Sequence, residues 1–246
     1  MNYNPILIVA GEPNSVFSEI FFKVINKKNF NNSIILITSK KLLSLQMKKL
    51  NFKKKIRLIK PLNLKKQKIN NKKINLIDVD FTQKKAFDKI STKSNQFIEN
   101  SFKLAFKIIK KNNINKFING PISKKTFLNK KFLGITEYIA KKFGVKKNCM
   151  LIYNENLSVC PITTHLPLKL VSKKINKRTI TEKIFLINDF YKKNFNKIPR
   201  IAILGLNPHC ESIDKFNEDE KIIKPCVKSL SKKYKQKKNN SKNYFD

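Results

Sequence analysis

PILIVAGEPNSVFSEIFFKVI, residues 5–25, is the stretch on which the reading of the fold turns. Residues 5–10 form an unbroken apolar run, and Gly11-Glu12-Pro13-Asn14 then interrupts it. Ser15 is a capping residue type, and Phe21, Phe22 and Ile25 recur at helical spacing behind it. A short strand without polar alternation is one covered on both faces, which is the habit of a parallel strand. The stretch therefore predicts strand, turn and helix, the first half of a βαβ unit.

The pattern repeats along the chain. Strands are predicted at residues 33–38, 56–59 and 74–79, with an amphipathic helix at 40–50 carrying Leu42, Leu43 and Met47 on one side. The clearest helix falls within 90–111, where Ile98, Phe102, Ala105 and Ile109 line one face. A short strand at Phe117-Ile118 ends at Asn119-Gly120-Pro121, and a helix at 136–143 closes at Gly144. Beyond it, strands are expected at 149–153, 158–163 and 201–204, and a helix at 179–191. The predicted class is α/β, with a largely parallel or mixed sheet flanked by helices. Residues 1–230 are expected to form a single domain, or two lobes of one. Residues 231–246 hold six lysines and no aliphatic side chain, and are expected to be a disordered tail.

Composition limits the function classes. The formal net charge is +38, which on its own points to a polyanion partner. Only Arg57, Arg178 and Arg200 are arginine, against 51 lysines and 31 asparagines. Arginine is the planar, bidentate reader of phosphates and base edges. Lysine and asparagine share A-rich codons, so base composition accounts for them without a binding role. Weak, salt-sensitive adhesion to polyanions is expected, and a specific nucleic-acid partner is not. No CxxC pair, secretory segment or apolar run of membrane-spanning length is present, so reduced thiols, a cytoplasmic location and no membrane association are expected.

The chain has two histidines, each where a predicted strand gives way to a loop: His165 in Thr163-Thr164-His165-Leu166-Pro167-Leu168, and His209 in Gly205-Leu206-Asn207-Pro208-His209. Ligands of open α/β sheets gather at the carboxyl ends of strands, and neutral imidazole is the commonest transition-metal ligand. Either the two share a cation, or each only serves its own loop or faces solvent. Lys124, after Asn119-Gly120-Pro121, is either a phosphate contact or a solvated side chain beside a tight turn. Thr136-Glu137 reads on its own as a helix cap. No G-x-G-x-x-G fingerprint is present.

These stretches resemble the 4-hydroxythreonine-4-phosphate dehydrogenase family of pyridoxal phosphate biosynthesis. The resemblance runs through Ala10-Gly11-Glu12-Pro13, Asn119-Gly120-Pro121 with Lys124, Gly134-Ile135-Thr136-Glu137, Thr163 to Leu168, Gly205 to His209, Glu218 and Pro225. It implies an isocitrate/isopropylmalate-dehydrogenase-like fold, here with an incomplete second lobe. It further implies NAD, or NADP, as hydride acceptor and a divalent cation (Zn, Mg or Co). His165 and His209 would be two of three metal histidines, the third coming from the partner subunit of a homodimer. Thr136 would contact the phosphorylated amino-acid substrate, and Lys124 would lie near its phosphate. The implied reaction oxidises and decarboxylates 4-hydroxythreonine 4-phosphate to 3-amino-2-oxopropyl phosphate.

The sequence departs from the family at Ile135, where a histidine is usual, and at Asn14 to Phe17 and Cys210 to Ile213, where glycines are usual. The family's later Tyr-His-Asp-Gln-Gly and Asp-His-Gly-Thr strings are absent, so an incomplete copy, weakened in substrate binding or catalytically inactive, is the alternative expectation.

Overall fold

The computed structural model describes residues 5–61, 64–67, 69–129, 131–210 and 216–238. The chain divides into two compact units, residues 1–143 and 144–246.

In the first unit, five strands form one sheet in the order β3-β4-β2-β1-β5: β1 (Ile6–Val9), β2 (Ile34–Thr38), β3 (Ile56–Leu58), β4 (Ile74–Asp78) and β5 (Lys116–Asn119). All four pairings are parallel, with Ile6 opposite both Ile34 and Lys116. Side chains alternate across a strand. Leu7 and Val9 therefore enter one cluster with Ile35 and Ile37, while Ile8 and Ala10 enter the other with Leu36 and Leu76. Both faces are apolar because helices cover both. α1 (Phe17–Lys27) and α2 (Lys40–Lys49) supply Phe21, Phe22 and Leu43 to one side, and α3 (Asn95–Asn112) supplies Phe97, Ile98, Phe102 and Ala105 to the other. The parallel α/β reading of residues 5–120 is thus realised.

α2 starts at Lys40, where it was expected, because Ser39 Oγ accepts the Leu42 N–H at 3.3 Å. α3 begins at Asn95, after a single 3-10 turn at Thr92–Ser94, and ends at Asn113 in left-handed backbone. It lies within the expected 90–111 window but for its last residue, Asn112. α4 (Ile135–Phe143) completes the unit, burying Tyr138 among Phe102, Phe106, Phe127 and Phe132.

The second unit departs further from expectation. The strands expected at 149–153 and 158–163 reduce to one antiparallel bridge, Ile152 with Val159, joined by N–H···O bonds of 2.8 and 3.0 Å. Residues 201–204 belong to no ladder among the described residues. Ile201 and Ile203 pack on the apolar cluster that contains Ile180 and Ile184, while Leu204 is 83% exposed. The alternation of a half-buried strand is present, but a strand is defined by the neighbour that takes its backbone N–H and C=O groups. The unit is organised instead by α5 (Lys177–Phe195) and α6 (Lys224–Lys238). Asn176 caps α5, its side chain accepting the Thr179 N–H at 2.9 Å. α6 runs through the first half of the segment expected to be a tail. Tyr234 and Leu230 pack on this unit's apolar cluster, an anchor that counting aliphatic residues after Ser231 overlooks. Residues 239–246 lie outside the described residues.

Candidate functional site

The motif-bearing residues are divided between the two units. In the first unit, β1 passes to α1 on one face of the sheet, whereas β5 leads to Leu128 and α4 in the cluster on the other. Crossovers leave in opposite directions at adjacent strands, which is the switch point where ligands of such sheets gather. The Ala10-Gly11-Glu12-Pro13 and Asn119-Gly120-Pro121 stretches meet there. Glu12 N–H donates to Pro121 O at 2.8 Å, and Gly120 N–H to Val9 O at 2.7 Å. The two backbones approach so closely that a Cβ on Gly11 would stand 2.3 Å from Pro121 O, and one on Gly120 would stand 2.0 Å from Ala10 O. Gly11 also has φ +77°. Both glycines are fixed by this crossing.

Glu12 is 1% exposed and faces inward. Its carboxylate accepts from Ser94 Oγ at 2.9 Å and from Asn14 N–H at 3.3 Å, while its carbonyl accepts from Ser15 Oγ at 2.7 Å. It ties the β1 loop to the turn before α3. Lys124 opens a single π-helical turn, Lys124–Leu128, capped by Ser123, and its side chain is exposed. Thr136 is half-buried in the first turn of α4. Ile135 packs against the cluster that holds Phe102 and Tyr138, so the residue standing where a polar one was expected is used in packing. Burial, with Glu99 adding to it, pushes the Tyr138 phenol up to about 12.

In the second unit, His165 and His209 are both exposed, and both hold left-handed backbone, with φ of 56° and 58°. Cys210 follows at 59°. The other non-glycine residues with positive φ, among those described, are asparagines, which tolerate it. Left-handed backbone at two histidines of separate loops is an uncommon conformation of the kind that clusters at functional sites.

The His209 loop has an anchor that sequence reading missed. Asp219, 1% exposed, accepts the N–H groups of Leu206 and Asn207 at 2.8 and 3.0 Å and the Asn207 side-chain amide at 3.2 Å. Burial opposes its charge, but these hydrogen bonds together with Lys224 outweigh burial and hold the carboxyl below its ordinary range. Gly205 leaves room for it, since a Cβ there would meet Cys210 Sγ at 2.5 Å and Asp219 Oδ1 at 3.0 Å. A lone aspartate ten residues beyond the histidine carries no signal of this in the sequence. Elsewhere in the unit, burial, with the neighbouring Cys149 thiol adding to it, pushes Cys160 up to about 11.

Imidazole is the right donor for a borderline divalent cation. Two do not complete a tetrahedral shell, and no group of three His, Cys, Asp or Glu side chains fit to hold a metal occurs among the described residues. Nor is any helix among them long and apolar enough to cross a membrane.

The family model described as pyridoxal phosphate biosynthetic protein PdxA matches residues 30–239. A 4-hydroxythreonine-4-phosphate dehydrogenase of Sulfurihydrogenibium sp. (strain YO3AOP1) is 35% identical over 230 residues, covering 92% of this chain and 70% of that protein. One of Aquifex aeolicus is 37% identical over 125 residues, covering 49% of this chain and 38% of that protein. The fold is shared with crystal structures of the 4-hydroxythreonine-4-phosphate dehydrogenases of Klebsiella pneumoniae (TM-score 0.79, 21% identity) and Burkholderia phymatum (TM-score 0.76, 23% identity), each covering 94% of this chain and 72% of the other. With residues 30–239 matched by the family model, and a relative 35% identical over 92% of its length, the chain belongs to the PdxA family of pyridoxal phosphate biosynthetic proteins.

Proposed function

We propose that the chain is an NAD-dependent 4-hydroxythreonine-4-phosphate dehydrogenase of pyridoxal phosphate biosynthesis, working in the cytoplasm as a homodimer of isocitrate/isopropylmalate-dehydrogenase-like subunits. The observation that carries the reading is the left-handed backbone at His165 and His209, within a chain whose family relatives bear this activity in their names. The reaction removes hydride from the hydroxyl-bearing carbon to the nicotinamide and a proton from the oxygen. The resulting β-keto acid then releases carbon dioxide to leave 3-amino-2-oxopropyl phosphate.

The chain's own residues bind and orient. The exposed Lys124 ammonium offers a point charge to the substrate phosphate, and the Thr136 hydroxyl a hydrogen bond. Ile135, being apolar, offers none, so substrate affinity falls below that of a protein with histidine there. His165 and His209 are the two imidazole donors this chain contributes to a divalent cation, and the rest of the shell comes from outside the described residues. Such a cation, when bound, supplies Lewis-acid polarisation of a substrate oxygen. Hydride transfer belongs to the cofactor, and the protein holds it in register with the substrate carbon.

The test is turnover: pure, folded protein with 4-hydroxythreonine 4-phosphate, NAD and Zn, Mg or Co, followed by NADH absorbance. Metal-dependent NADH formation, lost in His165→Ala and His209→Ala, is expected. A folded chain that forms none is not itself the enzyme. That outcome favours a second reading, a non-catalytic family member with weak polyanion affinity, supported by the incomplete donor set and the +38 charge.

A further inference from the structure

We infer that Asp219 is a positioning residue for His209, a buried carboxylate clamp that holds the 205–210 loop in the one backbone conformation presenting the imidazole outward. The functional meaning of this clamp rests on the dehydrogenase reading above; its physical basis does not.

Three donors converge on one side chain, and two of them are the backbone N–H groups of Leu206 and Asn207, three and two residues before His209. No helix or ladder engages either amide, so the carboxylate stands in for secondary structure across the loop. The clamp is fixed from behind as well. Asn217 Oδ1 accepts the Asp219 N–H at 2.9 Å, and Asn217 Nδ2 reaches Cys210 O at 3.5 Å, so both ends of the loop are tied to the entry of α6. The turn closes with Cys210 N–H donating to Asn207 O at 3.1 Å. Left-handed backbone at His209 and Cys210 persists only where surrounding bonds over-determine it, and these bonds supply that constraint. Asp219 itself, 1% exposed and fully engaged by the loop, is turned away from solvent and acts through His209 rather than on a ligand.

The chain has only two histidines, so the ring spectra of a metal-free, ¹⁵N-histidine-labelled full-length protein hold two sets of signals, and His165, with no cation to couple it to His209, serves as an internal reference. In Asp219→Asn, which keeps the shape but replaces one acceptor oxygen with a donor, the His209 ring signals are expected to move and broaden while those of His165 stay in place. Whichever of the Leu206 and Asn207 amides is left facing the new NH2 group should exchange with solvent roughly tenfold faster or more, the worth of losing a hydrogen bond to a charged group. Asn217→Ala, which leaves the carboxylate intact but removes the acceptor that holds the Asp219 N–H, is expected to shift His209 alone as well. It provides the measurement if Asp219→Asn fails to fold. An unmoved His209 in either folded variant overturns the clamp, as does a change in both histidines together, which would mark general destabilisation. Wild-type protein inert toward 4-hydroxythreonine 4-phosphate overturns the dehydrogenase reading instead, and the ring spectra then decide the clamp on their own.

Discussion

Tyr138 shows how a single atom is placed by its neighbours rather than by its own chemistry. Its ring sits edge-on to Phe102, Phe127 and Phe132, with centroids 5.3–5.5 Å away, and its hydroxyl is buried with no hydrogen-bond partner. An unsatisfied buried hydroxyl costs about 1–3 kcal/mol, so Tyr138→Phe should leave the melting temperature unchanged or raise it. The phenol adds a pH limit. Its pKa is raised from 10.0 to about 12, so the folded state favours the neutral form, and the stability this brings is full below pH 10 and lost as pH rises through about 12. Alkaline denaturation of Tyr138→Phe should therefore be shallower over that window than that of the wild type. Gly120 illustrates the opposite case, a residue defined by what it lacks. A methyl at 2.0 Å from Ala10 O cannot be accommodated by backbone on either side, so Gly120→Ala should yield little soluble protein, whereas Gly144→Ala, whose Cβ meets nothing within 4 Å, pays only the cost of its φ of +67°.

The helices of the two units are bounded by side-chain oxygens that sequence reading placed only in part. Ser39 before α2 and Asn176 before α5 are both Ncap residues, yet α5 was expected to start two residues later. Asn176 Oδ1 accepts from both the N–H and the hydroxyl of Thr179. Asn176→Ala should lower stability by about 1 kcal/mol, read as an earlier denaturant midpoint at unchanged slope, while Asn176→Asp should retain most of it. Apolar periodicity made α1 to α4 legible to within a few residues, because a helix's pattern is carried within its own sequence. Residues 149–163 and 201–204 have equally apolar patterns, but whether such segments become strands depends on a neighbour far along the chain, and their own residues do not specify it.

As a whole molecule, the chain is two units with different sources of order. Residues 1–143 form one compact unit with a five-stranded parallel sheet and apolar clusters on both faces. That is the condition for independent folding, so a fragment ending at Phe143 is expected to show a cooperative thermal transition and mixed α/β circular dichroism; a non-cooperative melt would show that the sheet leans on residues 144–246. The second unit rests on a smaller cluster built on Ile175, Ile180, Ile184, Ile223 and Cys226, and leaves Leu168 90%, Leu204 83% and Leu157 75% exposed. The charge belongs to this scale too. Lysines spread over both units carry the +38 charge, and any adhesion to polyanions they give is expected to be removed by salt.

The amino-acid order alone determined the parallel α/β class, because strands of unbroken apolar residues have to be covered on both faces, and it singled out His165 and His209 by residue type and loop position. The tertiary structure decided what holds those residues. That Gly11 and Gly120 serve one backbone crossing, that Glu12 is an internal tie, and that Asp219 grips the His209 loop all follow from contacts between segments distant in sequence. Such contacts depend on where folding brings the chain together, and no local pattern encodes them.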